Sequence, residues 1–395
     1  SNSQIAAWLS ERGHCVTVIS CVPNYPSGKF YDGYSNRRRR DEAIGRVQVR
    51  RVWTVPRGRS KLQLIANYLV YPVAAAVRIS QLTAPRADVS FVSMPSPLLQ
   101  AFAGVYARKR YGIPMVYWVQ DLWPETVKYL FKLRDGPVLR LLDRMCGWLY
   151  RQADIVLVQS DAMPELVARH SVPREKIRVL PNTAPEFYRP IARSEAVEHA
   201  MQIVEAGFVV MFAGNIGESQ GLEVLVDAAD ILRERNDMAF VILGSGRGEA
   251  ALRQRVADLE LTARFHFLGR HSEQSMPYFF AQADALFMSL KDLPMFALTV
   301  PYKLQTYLAC GKPIVASING EGARIIKEAN AGYAVPAGDS AALADALRRM
   351  AEMKPEGRQR LGANGREFFE RNYSAPVVYG ILEQALNDAV SGNPT

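Results

Sequence analysis

Val300-Pro301-Tyr302-Lys303-Leu304-Gln305-Thr306-Tyr307-Leu308-Ala309-Cys310-Gly311-Lys312-Pro313-Ile314 reads as a helix that opens beside a cation, stops at a glycine and runs into a buried strand. Pro301 suits a first helical turn, where no amide hydrogen is needed. Gly311 suits the position past a helix end, and residues 314–316 are a short apolar run. A helix start exposes N–H groups that have no intrahelical partner, so with Lys303 beside it this joint can seat a phosphate. Any doubly wound α/β domain has helix-glycine-strand joints, so the stretch by itself decides the fold class and leaves the ligand open.

Working outward, the chain has 395 residues, enough for two α/β domains of nearly 200 each. At 49% apolar and 22% charged residues the composition is that of a globular protein. The four cysteines form no Cys-x-x-Cys pair, which predicts buried thiols in a reducing compartment and hence a cytoplasmic protein. The longest uncharged run, residues 62–77, falls short of the roughly 20 residues a bilayer-spanning helix needs, so no transmembrane segment is expected. Charge is divided unevenly: residues 1–195 hold 29 Lys and Arg against 15 Asp and Glu, while residues 196–395 hold 19 against 24. Much of the excess lies in residues 37–61, including Arg37-Arg38-Arg39-Arg40, directly before the apolar run. A basic cluster beside an apolar helical segment suits peripheral contact with an anionic membrane, or a lipid-phosphate substrate; a solvated loop before a core helix is the alternative. No nucleic-acid motif accompanies the charge, and no nucleic-acid partner is expected.

Short β-branched or apolar runs at 16–20, 47–53, 89–92, 115–118, 155–159 and 177–180 alternate with helical segments. After the turn-rich Pro181-Asn182-Thr183-Ala184-Pro185 the alternation restarts at 208–212 and continues through 240–243, 265–268, 285–288, 314–316 and 332–335. This is the pattern of two doubly wound parallel sheets, whose strand ends would face two substrates across a cleft. Three strand ends of the second domain carry glycines: Ala213-Gly214-Asn215-Ile216-Gly217, Leu243-Gly244-Ser245-Gly246 and Leu268-Gly269-Arg270. Glycines let the backbone approach a ligand and take positive φ, and three on one sheet edge form a rim along which a nucleotide can lie.

The helix ending Ala-Cys-Gly-Lys-Pro, these glycine joints and the segment Leu9 to Ile19, read as Leu-x-x-Arg-Gly-His-x-Val-x-Val-Ile, resemble the family-4 retaining glycosyltransferases, and Asn215, Gln220, Phe296 and Lys303 resemble their bacterial surface-polysaccharide branch, which transfers amino or deoxy sugars. The resemblance implies a GT-B fold: an acceptor-binding Rossmann-like domain over 1–185, joined by a crossover helix at 374–390, and a nucleotide-sugar domain over 186–373. It also implies that a first strand and glycine loop, normally found before such an opening helix, are absent from this sequence, and that His14 is a turn residue. In the family the glycine joints hold diphosphate, ribose and base. The resemblance thereby nominates Gly214, Asn215, Gln220, Gly244, Arg247, Gly269, Arg270, Phe296, Leu298, Thr299 and Thr306 for the donor, with Arg270 against the base.

Several positions depart from the common family pattern. Asn215 and Gln220 stand where an arginine and a lysine are usual, and Leu298 and Thr306 where two glutamates are. The diphosphate still needs a cation, so Lys303 takes that part, with Arg247 and Lys291 as weaker candidates. In Tyr117-Trp118-Val119-Gln120-Asp121-Leu122-Trp123-Pro124-Glu125, Gln120 replaces the family's histidine, which meets a sugar hydroxyl. Asp121 and Glu125 remain as carboxylates for the reacting centre, or as a helix cap and a surface ion pair. The expected function is transfer of an amino or deoxy sugar from a UDP-sugar to a lipid-linked glycan, with Asp121, Gln120 and Lys303 at the chemistry. No Asp-x-Asp motif occurs, and neither metal nor cofactor is expected. An epimerase of the same fold and a catalytically idle binding subunit are the other two readings.

Overall fold

In a computed structural model the chain forms two compact units, Ser1–Leu180 with Tyr379–Thr395, and Pro181–Val378. The structure describes residues 2–24, 27–58, 60–82, 87–94, 98–121, 123–130, 134–199 and 206–392; Leu122 and Arg59, both in stretches singled out above, lie outside the described residues.

The first unit opens with α1 (Asn2–Glu11), β1 (Thr17–Cys21), β2 (Asp41–Ile44), β3 (Val47–Val52) and α2 (Lys61–Ser80). It continues through β4 (Ser90–Met94), α3 (Ala101–Tyr111), β5 (Met115–Val119), α4 (Glu125–Leu130) and α5 (Pro137–Gln152). β6 (Ile155–Val158), α6 (Pro164–Ala168) and β7 (Ile177–Val179) complete it. β4 to β7 form a parallel sheet in sequence order, and β1-β3-β2 a separate one. The expected parallel sheet is present, and β2, which the sequence did not signal, adds an antiparallel edge to β3 in the other sheet. β2 is Asp-Glu-Ala-Ile, mostly exposed, so it carried no apolar signal; the turn at Gly45, with φ +59°, folds it back on β3.

The apolar run at 62–77 lies in a helix longer than its uncharged stretch, because one arginine near the end of a helix does not shorten it. Its part Leu62–Ser80, 19 residues, has by length and composition alone what a membrane crossing needs. The cysteines are also mixed: Cys146 and Cys310 are buried, Cys21 is partly so, and Cys15 is exposed.

The second unit begins with α7 (Arg193–His199), β8 (Phe208–Ala213), α8 (Glu223–Ile231), β9 (Met238–Leu243), α9 (Glu249–Asp258), β10 (Phe265–Gly269) and α10 (Met276–Gln282). Then come β11 (Ala285–Ser289), α11 (Pro294–Ala297), α12 (Tyr302–Ala309), β12 (Ile314–Ser317), α13 (Glu321–Glu328), β13 (Gly332–Val335), α14 (Ser340–Glu352) and α15 (Pro355–Asn372). Its six strands are all parallel, in the order β10-β9-β8-β11-β12-β13. Phe208, Val210 and Phe212 enter one apolar cluster and Val209, Met211 and Ala213 another. Alternate residues of β8 are therefore buried on opposite faces, which is why such strands read as unbroken apolar runs. The strand order reverses between β8 and β11, the place where open α/β sheets bind ligands.

A last helix, α16 (Ala375–Ser391), contributes its residues from Tyr379 on to the first unit. There Tyr379 meets Trp8 with ring centroids 5.5 Å apart, and Arg178 pairs with Asp388 at 2.5 Å. His14 and Arg12, at the turn past α1, both bind Glu383 at 2.8 Å.

Candidate functional site

At the β8–β11 reversal the second unit encloses a cavity of about 390 Å³, with Gly214, Gln220, Lys303 and Thr306 among its lining residues. Lys303 is brought there by helical phase. Pro301 caps α12 with φ −62°, and the side chain two residues on turns back over the end of β8. Its Nζ donates to Gln220 Oε1 and lies 3.8 Å from the centre of the Phe212 ring. Among the described residues no carboxylate pairs with it, and burial lowers its pKa to about 7. A desolvated ammonium held by a neutral amide and a ring face thus lines the cavity with no neutralising carboxylate among the described residues.

The glycines around it are required by contact as well as by conformation. A Cβ on Gly214, at φ +145°, would stand 2.5 Å from Lys303 Cε. One on Gly244, at φ +125°, would meet the Gly214 carbonyl oxygen at 1.8 Å. The backbone links the three strand ends directly: Gly214 N–H donates to Leu243 O at 2.9 Å and Gly244 N–H to Gly269 O at 2.6 Å. Arg270 adds a side-chain link, its Nε donating to Ser245 Oγ at 2.6 Å. Gly244, Gly269 and Arg270 thus continue one rim from Gly214, while Asn215 and Arg247 lie exposed beside it.

Other nominated residues fall differently. Lys291 is held by Glu218 at 3.7 Å and Glu223 at 3.8 Å, so it is already neutralised. Thr306 is buried, and its hydroxyl donates to Lys303 O at 2.9 Å, fixing the first turn of α12. Phe296, Leu298 and Thr299 are part-buried in and after α11, outside the cavity wall. That segment is held close to Gly320, where a Cβ would meet Ala297 O at 1.9 Å.

Sequence reasoning missed the apolar half of the wall: Tyr188, Met276, Phe280, Met288 and Tyr307. Tyr307 is fully buried; its hydroxyl accepts from Ala213 N–H and donates to Phe287 O, both at 3.2 Å, so it ties α12 to β8 and β11. Its position four residues after Lys303, on the same helix face, was the available signal.

In the first unit, β5 delivers Gln120 and Asp121 to its carboxyl end, both part-buried. Gln159 Nε2 donates to the Gln120 backbone oxygen at 2.6 Å. Burial raises Asp121 to about 6. Trp123 Nε1 is buried and has no partner among the described residues, so a donor stands beside that carboxylate in the chain. Glu125 is exposed in the first turn of α4. Among the described residues no group of three or more His, Cys, Asp or Glu side chains is placed to hold a metal ion.

Two units, each with a parallel sheet, and a glycine rim beside a lysine at the switch point of one, define a doubly wound α/β protein with a place for a phosphorylated ligand at a sheet edge. The comparisons give this class its family. Residues 2–183 match the Glycosyl transferase 4-like domain and residues 195–368 the Glycosyl transferases group 1 domain. The chain is 27% identical to the probable glycosyltransferase WbjE of Pseudomonas aeruginosa, over 74% of this chain and 72% of that one. It is 24% identical to WcaI of Escherichia coli K12, named for colanic acid biosynthesis, over 78% and 76%. The Anabaena protein HepE in complex with UDP superposes with a TM-score of 0.66 at 17% identity, over 87% of this chain and 86% of that one. The chain belongs to the family-4 glycosyltransferases of GT-B fold, and it is an enzyme of that class.

Proposed function

We propose that this glycosyltransferase moves an amino or deoxy sugar from a UDP-sugar to a lipid-linked glycan during bacterial polysaccharide synthesis. The observation that carries the reading is Lys303, a part-buried ammonium with no carboxylate partner among the described residues, between the Gly214 to Gln220 loop and the start of α12. The name of WcaI supports polysaccharide synthesis and the UDP held by HepE a UDP-sugar donor.

The chemistry follows from those groups. The acceptor oxygen bonds to the anomeric carbon on the face from which the diphosphate departs, and the bond from that carbon to the phosphate oxygen breaks. The acceptor proton passes to the departing phosphate oxygen, so UDP leaves and configuration is retained. The protein positions the reactants and meets the charge that grows on the leaving group. Lys303 and the N–H groups of the Gly214 loop and first turn of α12 meet that charge without a metal. Asp121 and Gln120 orient the sugar or acceptor hydroxyls.

Incubation with radiolabelled UDP-sugars and a membrane extract tests this. Label in the lipid fraction, undiminished by EDTA, is expected. A free epimer would replace the reading by the epimerase, and UDP-sugar binding with no product by the idle subunit.

A further inference from the structure

The first unit presents an apolar face that its own fold leaves uncovered. On α2, Leu62 (79% exposed), Ile65, Leu69, Val73 (66% exposed) and Val77 are all exposed. At 100° per residue they fall within an arc of about 120°. The stripe continues into an open groove of about 510 Å³ between α2 and α3, lined by Pro72, Val73, Ala76, Val77, Phe102 and Tyr106. Such a contiguous apolar surface marks a contact.

The opposite face of α2 is committed to the fold. Ala75 is fully buried, Tyr71 Oη donates to Ile19 O at 3.2 Å, and Asn67 Nδ2 donates to Val55 O at 2.5 Å. Although α2 has the length and apolarity of a membrane span, crossing a bilayer would strip these partners from it. A helix with one face packed and the other apolar lies along an interface.

The charge around this face selects the interface. α2 and α3 carry five Lys and Arg residues and no carboxylate, and of the five Arg78 and Arg108 are paired with Asp41 and Asp154 of other elements. Lys109 and Arg110 are exposed at the end of α3, with Lys109 Nζ 5.2 Å from the Trp148 ring of α5. At the C-terminal end of α2, Arg78 pairs with Asp41, which follows the exposed Arg37 and Arg38 in the chain. We propose that the α2–α3 face docks in the surface of an anionic lipid bilayer, α2 lying in the plane with its stripe among the acyl chains and the cations at the headgroups.

The docking face belongs to the first unit and the donor cavity to the second, and the docking, which rests on the lipid-linked acceptor proposed above, would bring the enzyme to it. The test is flotation of the full chain with vesicles of phosphatidylcholine and phosphatidylglycerol, and of phosphatidylcholine alone, at low salt. Wild type should float with the anionic vesicles only, and high salt should weaken the association. Leu69→Glu with Val73→Glu, and separately Lys109→Glu with Arg110→Glu, should each reduce partitioning by about tenfold or more, with unchanged melting temperatures. All four positions are exposed, so loss of fold is not expected. Wild type that ignores anionic vesicles, or variants that bind them equally well, would overturn the proposal. So would a wild-type dimer that Leu69→Glu with Val73→Glu dissolves, which would assign the face to a second copy of the chain. Transfer activity on a short soluble acceptor is read in parallel: its absence in wild type would count against the transfer reading and leave the vesicle result standing.

Discussion

Replacing Lys303 by methionine keeps most of the side-chain volume and removes the ammonium, and its consequences can be worked out as a function of pH. In the free protein burial holds this lysine near 7. A bound diphosphate favours the charged form and raises the value again, so binding above pH 7 takes up a proton. UDP-glucose is the probe of choice, because its diphosphate diester keeps its charge across the range. For wild type Kd should be flat with respect to this group below pH 7. Above pH 7 it should rise about tenfold per unit, since each unit is worth about 1.4 kcal/mol. Calorimetry in buffers of different ionisation enthalpy should find about 0.9 proton taken up at pH 8 and close to none at pH 6. Lys303→Met should abolish both effects and weaken binding at pH 6 by about 1.5–3 kcal/mol, the value of one charged hydrogen bond, or about 10- to 150-fold. Stability should move the other way. The folded-state pKa lies below the unfolded value of 10.5, so the penalty for the buried charge is complete below pH 7 and fades as pH rises to 10.5. The variant should therefore melt higher than wild type at pH 6 and nearly equal to it near pH 10.5. Equal UDP-glucose affinity for the two proteins at pH 6, or binding without proton uptake at pH 8, would refute the placement of Lys303 against the diphosphate.

Three further outcomes are expected. Gly244→Ala should cost about 2–4 kcal/mol, because its Cβ must displace the Gly214 carbonyl at a positive φ; a melting temperature within 2 °C of wild type, on the order of 1 kcal/mol, would contradict this. Tyr307→Phe should lose about 1–3 kcal/mol by leaving Ala213 N–H and Phe287 O short of a partner, read from denaturant midpoints at constant m. Asp121→Asn should leave UDP binding intact and slow turnover, removing a limb near pH 6 from the pH–rate profile. Because Asp121 is raised from 3.8 to about 6, its buried charge costs stability that develops through that window and is complete above pH 6. The variant should then melt higher than wild type at pH 8 and equal to it below pH 3.8.

What the chain's sequence determined by itself is the local code of the fold. β12 was legible in residues 314–316, and α12 between Pro301 and Gly311, because a doubly buried strand must be apolar at every position and a helix end must answer to a proline or a glycine. The same held for the glycines at 214, 244 and 269, whose positive φ leaves few alternatives. β2 was not legible, since a polar edge strand takes its pairing from β3 and not from its own composition. Nor was the fate of Lys303 as against Lys291. Both are lysines near strand ends, and only tertiary placement surrounds one with Glu218 and Glu223 and sets the other against Phe212 and Gln220. The exposure of α2 is of the same kind. An apolar stripe has the same sequence whether a neighbour covers it or not, because burial depends on residues distant in the chain, and here the described fold leaves Leu62, Leu69 and Val73 uncovered.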